Sequence, residues 1–245
     1  MSPRRTRATA LRVLRQLRHD PRTIGLLLLV PCLLQVLVRA LFADRPSAFQ
    51  SLGVPLLGLF PFVAMFIVTS ITMLRERTSG TLERLMTTPL ARGDLLAGYA
   101  LAFTLVAAVQ ATLVSALSFG LLGLDAGHRP VSIVALAIAN AVLGMALGLF
   151  ASAFARTEFQ AVQFMPAFVL PQILLCGLIV SRDEMADWLR VISAFMPLTY
   201  AYDALARLAS SEELTARFWL DVTIVVGVTI VALALGAVTL RRRTP

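Results

Sequence analysis

The chain has 245 residues, 58% of them hydrophobic and only 15% charged, and its mean hydropathy is +0.81. A soluble domain of this length carries far more surface charge, whereas runs of about twenty apolar residues are what a bilayer demands, so an integral membrane protein follows. All 22 basic residues behind the net charge of +8 are arginine, and the absence of lysine excludes a Walker A loop, whose lysine reaches the nucleotide phosphates.

The arginines flank apolar runs, so membrane topology explains them better than nucleic-acid binding. No polar stretch is long enough to build a separate soluble core. Cys32 and Cys176 each sit inside an apolar run and read as small buried hydrophobes. The basic stretch ahead of the first apolar run has no cleavage signature and is read as mature protein.

In chain order, residues 5–20 begin with a surface helix: Ala10, Val13, Leu14 and Leu17 repeat at helical spacing, with Arg12, Arg15 and His19 opposite. A basic amphipathic helix beside a span suits the headgroup layer. Asp20 and Pro21 then form a cap and first-turn pair. Spans are expected at about 22–42, 52–74, 95–122, 131–154, 159–180 and 218–240. Pro31 can kink the first, and Arg39 can snorkel from its end. Gly144 and Gly148 give the fourth a GxxxG, which permits close helix approach. Pro166 and Pro171 break the fifth. Residues 183–209 hold two short amphipathic pieces that cannot cross and are read as dipping into the membrane and returning. Ser210 and Glu213 offer a capping box for the last span.

Six spans put both termini on one side, with 15 of the 22 arginines; the other side takes seven, together with nine of the 14 acidic residues. The positive-inside rule places both termini, and the charged insert between spans two and three, in the cytoplasm. In that insert Gly80 can open a short helix over about 80–88, with Glu83 in its first turn and Thr88-Pro89 stopping it. Asp94 is placed to cap the helix that becomes span three. The insert either lies on lipid or serves as a peg gripped by a cytoplasmic partner.

The insert "RERTSGTLERLMTTPLARGDLLAG" resembles the stretch after the second span in type-2 ABC exporter permeases, of the drug-resistance, daunorubicin-exporter flavour. The matching positions are Glu76, Arg77, Gly80, Thr81, Glu83, Thr88, Pro89, Arg92 and Gly98. A second stretch, "MPLTYAYDALARL", resembles the family's segment before the last span, through Pro197, Leu198, Thr199, Tyr200 and Asp203. Tyr99, Met196 and Ala206 depart from the lysine, asparagine and arginine common there.

The resemblance implies an all-α membrane permease of six transmembrane helices with an N-terminal amphipathic interfacial helix. It also implies a cytoplasmic coupling helix between spans two and three, and re-entrant short helices on the outer side before span six. The coupling helix, with Arg84 beside Glu83, would contact a separate ABC ATPase subunit present in two copies. ATP and Mg would be bound by that partner, with no cofactor on this chain. A second permease half, identical or paralogous, would complete the path. The setting implied is a bacterial plasma (inner) membrane, and Glu76/Arg77 would form a rigid corner passing ATPase motion to span two.

An ion-coupled carrier is the rival from another class, but it needs ionisable groups at mid-membrane. Here the interior polar set is mild: Thr69, Thr72, Gln110, Asn140, Gln163 and Gln172, residues that commonly glue helices together. No HExxH, GxSxG or paired-aspartate pattern points to an enzyme. By analogy, spans two and five would wall the substrate path, offering Phe60, Phe62, Phe66, Thr69, Gln163, Phe164, Phe168 and Gln172. An apolar wall with few polar groups suits a hydrophobic drug or lipid-like molecule, with polysaccharide or lipid-linked glycan as the alternative.

Overall fold

The structure, a computed structural model, describes residues 2–80, 92–125, 127, 129–210 and 214–239, without the side chain of Arg92. Among the described residues it is all-helical, with no strand. The helices are α1 (Pro3–Arg18), α2 (Pro21–Leu41), α3 (Pro46–Thr78), α4 (Arg92–Gly120) and α5 (Pro130–Ala151). They continue as α6 (Glu158–Phe164), α7 (Leu170–Leu175), α8 (Asp187–Ala194), α9 (Pro197–Ala209) and α10 (Ala216–Thr239).

Proline sets many of the starts. Pro3, Pro21, Pro46, Pro130 and Pro197 each open a helix, where the missing N–H has no intrahelical partner to lose. Asp20 caps α2 through its side chain, accepting from the Thr23 amide at 3.2 Å and from the Thr23 hydroxyl at 2.6 Å.

Among the described residues five helices are long and apolar enough to cross a membrane: α2, α3, α4, α5 and α10. The stretch expected as a span over 159–180 is not a single helix. It runs as α6, a π-helical turn (Met165–Val169) and α7, in unbroken succession. Pro166 and Pro171 cannot donate to the ladder, and the wider turn absorbs the lost bonds. The chain then leaves the helix at Cys176 and turns through Gly177, whose φ is 103°.

The core is built on α3 and α5. A Cβ on Gly144 would overlap the Phe62 carbonyl, and one on Gly148 the Phe66 carbonyl, so the two backbones touch through the glycine pair. Polar side chains cross between helices where lipid leaves no water to satisfy them. Gln110 donates to the Leu27 carbonyl at 2.7 Å and Gln35 to the Gly53 carbonyl at 3.0 Å, tying α2 to α4 and α3. The Thr69 hydroxyl donates to its own helix at Met65, 2.7 Å, with the Met145 carbonyl of α5 at 3.2 Å.

Arg39, near the end of α2, donates through Nε to the Leu122 carbonyl at 3.2 Å, and its guanidinium lies over the Phe49 ring. One expectation is corrected here. Ser210 does not open the last long helix. It ends α9, with its hydroxyl on the Arg207 carbonyl, and α10 begins only at Ala216; Glu213 lies outside the described residues.

Candidate functional site

Charged residues gather where α1, the end of α3 and the start of α4 and α6 meet. α1 lies along α4 with Thr9, Ala10, Val13 and Leu17 buried. The approach is close because Gly98 faces Thr9, where a Cβ would collide with the threonine side chain. At the head of α1, the Ser2 amide donates to Asp94 Oδ1 at 2.8 Å. A carboxylate at a helix N-terminus opposes the positive end of its dipole. Asp94 is therefore not the cap of its own helix: α4 begins two residues earlier, at Arg92, and the carboxylate serves α1 instead.

Glu76 lies in the last turns of α3 and is only 3% exposed. Arg12 reaches it from α1, Nη1 to Oε1 at 3.5 Å. The same guanidinium donates through Nη2 to the Tyr99 hydroxyl and lies over the tyrosine ring, 5.6 Å from its centroid. One arginine thus joins α1, α3 and α4. Arg12 was expected on the polar face; it sits instead at the edge of the buried one, three residues from Thr9, where the carboxylate draws it inward. Glu76 Oε2 accepts no hydrogen bond from the described residues. Arg77, the other half of the expected corner, is partly buried and its Nε finds no acceptor among them.

A second tie runs from Arg75 to Glu158, Nε to Oε1 at 2.7 Å and Nη2 to Oε2 at 3.0 Å. This fork joins the end of α3 to the start of α6 with both side chains about half exposed. Arg75 strengthens the carboxylate, holding Glu158 below the usual glutamate range.

Gly80 takes the left-handed conformation, φ 69°, just past the last residue of α3, so it terminates that helix. Thr81, Glu83, Arg84, Thr88 and Pro89 lie outside the described residues, as does the side chain of Arg92.

The expected path residues divide. Phe62, Phe66 and Thr69 are buried within the chain, on the α3 segment against α5. Phe60 and Phe164 are partly buried, Gln163 and Phe168 are exposed, and the Phe164 and Phe168 rings meet edge to face at 5.9 Å. Gln172 is buried, with its amide on the Phe168 carbonyl at 3.0 Å.

The Pro197–Asp203 stretch forms the first half of α9 and is locked to its surroundings. Thr199 donates to the Ser193 carbonyl at 2.9 Å, Ser193 to the Leu175 carbonyl at 2.8 Å, and Tyr200 to the Ala194 carbonyl at 2.6 Å. Leu198 is buried. Asp203 pairs with Arg182 at 3.0 Å. Burial raises its carboxyl above the usual aspartate range, against the pull of Arg182. Nothing in composition or spacing pointed to Arg12 or Tyr99 as partners of Glu76; their contact depends on how α1 docks.

A helical bundle with five helices among the described residues long and apolar enough to cross a bilayer, tied by charged pairs beyond or near their ends, defines a multi-pass membrane protein. Residues 4–208 match the sequence profile described as ABC-2 type transporter, and the chain belongs to that family. It is 30% identical over 153 residues to the probable multidrug ABC transporter permease YbhR of Escherichia coli K12, a match covering 60% of this chain and 40% of the relative. To the linearmycin resistance permease protein LnrN of Bacillus subtilis 168 it is 26% identical over 168 residues, 69% of this chain and 42% of the relative. To ABC transporter G family member 20 of Dictyostelium discoideum it is 22% identical over 147 residues, 60% and 20%. The chain thus matches less than half the length of each of these relatives.

Proposed function

We propose that this chain is the membrane-spanning subunit of an ATP-driven exporter. It moves a hydrophobic drug or lipid-like substrate out of the cytoplasm or the inner leaflet of a bacterial plasma membrane. The chain crosses six times, the broken α6–α7 run making the fifth crossing, and both termini lie in the cytoplasm. It has no ATPase site of its own; ATP and Mg are held by two copies of a partner subunit, and a second permease half completes the path. Residues 80–88 are the peg on which the partner pulls, with Thr81, Glu83, Arg84, Thr88, Pro89 and Arg92 on or beside it.

The observation that carries this reading is the three-way tie around Arg12. It binds the helix that leads into the peg, α3, to the helix that leaves it, α4, and to α1. A force on residues between them would move all three as one body rather than bending one span, which is what a two-state transporter needs. The relatives named for multidrug transport and linearmycin resistance support the substrate class. Between two halves, the side chains left free to face substrate are Phe60, Gln163, Phe164 and Phe168.

The test is purification of the tagged chain from its native membrane in mild detergent, scored for a co-purifying ATPase. The expected result is a stoichiometric ATPase that is lost with Glu83→Ala and Arg84→Ala while the permease still inserts. An ATPase-free permease under conditions that keep its two halves together would defeat the reading.

A further inference from the structure

α1 turns its apolar side to α4, and what it leaves outside is arginine. Thr9, Ala10, Val13 and Leu17 are buried, while Arg4, Arg7, Leu11, Arg15 and Arg18 repeat at helical spacing on the exposed side. The helix holds no acidic residue, and among the described residues none of these four arginines meets a carboxylate. A helix that lies on lipid by its apolar face needs that face free. In α1 it is taken, so charge is what the helix offers to its surroundings.

The neighbouring helix shows what those surroundings are. α2 is long and apolar enough to cross a membrane, and Leu26, Leu29, Leu33 and Leu37 form an exposed stripe along it. Arg22 is exposed too and heads that same stripe, four residues before Leu26. That is about 6 Å along the helix, the distance over which hydrocarbon gives way to headgroups. Arg18 ends α1, with only His19 and Asp20 between it and α2, so it reaches the same level. Asp20, the acid in this stretch, is turned to its own helix, both its oxygens accepting from Thr23. An acidic protein would have to push past the headgroups to meet Arg22, whereas a phosphate of the leaflet is already there.

We propose that Arg15, Arg18 and Arg22 bind the phosphate of an anionic phospholipid, whose chains lie along the leucine stripe of α2. Arg4 and Arg7 extend the charge along the leaflet. The planar fork of arginine matches phosphate oxygens, and each basic side chain near an anionic leaflet adds to the attraction. Lipid then holds α1 from outside while Arg12 ties it to α3 and α4 from inside. Placing this lipid in the cytoplasmic leaflet rests on the exporter reading; the binding itself does not.

The experiment is native mass spectrometry of the purified chain in mild detergent, titrated with dioleoylphosphatidylglycerol or with dioleoylphosphatidylcholine. The acyl chains are identical and the headgroup charge differs. Saturable binding of the anionic lipid, about tenfold tighter than that of the choline lipid, is expected. Arg22→Gln should weaken it about fivefold, the usual worth of one basic side chain at an anionic surface. Arg45→Gln, which removes an exposed arginine beyond the other end of α2, should leave it unchanged. Thermal unfolding checks that both variants keep the bundle. Equal affinity for the two lipids, or equal losses in the two variants, would overturn the site. Displacement of the bound lipid by soluble glycerol 3-phosphate would overturn it as well, since the ligand would then be a free phosphate. Co-purifying ATPase is scored on the same preparations. Its loss from Arg15→Gln with Arg18→Gln, lipid preference intact, gives the stripe to the partner protein and overturns the lipid. Lipid preference without any ATPase defeats the exporter reading alone; ATPase without lipid preference defeats the lipid site alone.

Discussion

The Arg12 guanidinium lies between Glu76 and Tyr99, 3.5 Å from the carboxylate and stacked over the phenol ring, so a residue of α1 bridges the helices on either side of the charged insert. Arg12 is 32% exposed and Glu76 3%, so the pair is neither a surface ion pair nor a fully dry one. Water screens the arginine side, but nothing replaces it on the glutamate side.

Arg12→Ala should therefore cost about 1–3 kcal/mol, mostly from leaving Glu76 without its donor. Tyr99→Phe removes only the hydroxyl and should cost less. In a double-mutant cycle the two should couple, by about 0.5 kcal/mol or more, because both act through one guanidinium. Thermal unfolding of the four proteins in detergent measures it. Strictly additive losses would mean that Arg12 holds Glu76 and Tyr99 as separate contacts and that the three-way tie is no unit.

The close contact of α3 and α5 gives a sharper test. A side chain at Gly144 would run into the Phe62 backbone, and one at Gly148 into both the Thr69 hydroxyl and the Phe66 carbonyl, so in each case backbone that cannot swing aside is in the way. Gly144→Ala or Gly148→Ala should each destabilise by about 1–3 kcal/mol through forced separation of the helices. Gly227→Ala in α10 has open space around it and no such penalty, and it should be neutral to slightly stabilising as helix propensity favours alanine. Unfolding midpoints compared across the three variants check the order. Equal midpoints would show that the glycine pair is incidental to packing.

The sequence showed much of this bundle and little of how its ends are tied. Apolar runs near twenty residues fix α2, α3, α4, α5 and α10, since hydrophobic length is a one-dimensional property. The prolines announced the break in the α6–α7 run, yet a π-turn rather than a plain kink depends on which carbonyls find partners. Glu76 stood out by its place after an apolar run. Arg12 did not, because helical spacing ranks faces by hydrophobicity and an arginine at the border scores as solvent-facing whatever it meets. Tyr99 looked only like a missing lysine. Asp94 looked like a cap because no rule of local sequence says that the N-terminus of a helix ninety residues away in sequence will settle on it.

The Asp20 cap makes a pH prediction with a definite sign. Its carboxyl titrates below its ordinary value of 3.8, chiefly through the Thr23 hydroxyl and then the Thr23 amide. A carboxylate with a lowered folded value binds fewer protons than the unfolded chain between the two values, so stability falls as the medium is acidified through that window. The contribution is complete above the unfolded value and lost below the folded one. Thr23→Val removes the hydroxyl and keeps the amide. It should move the Asp20 titration upward toward 3.8, followed by carbon-13 NMR of labelled aspartate. An unmoved titration would assign the effect to the amide and the helix terminus alone.

The last prediction concerns the turn between α8 and α9, where Ser193 and Thr199 are both fully buried. The Thr199 hydroxyl donates to the Ser193 carbonyl, and the Ser193 hydroxyl reaches back to the Leu175 carbonyl at the end of α7. These bonds reach carbonyls at helix ends, where the regular i to i−4 ladder has stopped; the Ser193 carbonyl also accepts from the Met196 amide at 3.0 Å. Thr199→Val keeps the shape and removes one of two donors to the Ser193 carbonyl, leaving the Met196 amide at 3.0 Å, and should cost about 1–1.5 kcal/mol. Thr199→Ser keeps the donor, loses one methyl group, and should cost about 1 kcal/mol. Proteolysis within residues 176–196 then reports local opening, because cleavage tracks the population of the opened state. Faster cleavage of the valine variant than of the serine variant is expected. The reverse order would mean that methyl packing, not the hydroxyl, fixes this turn.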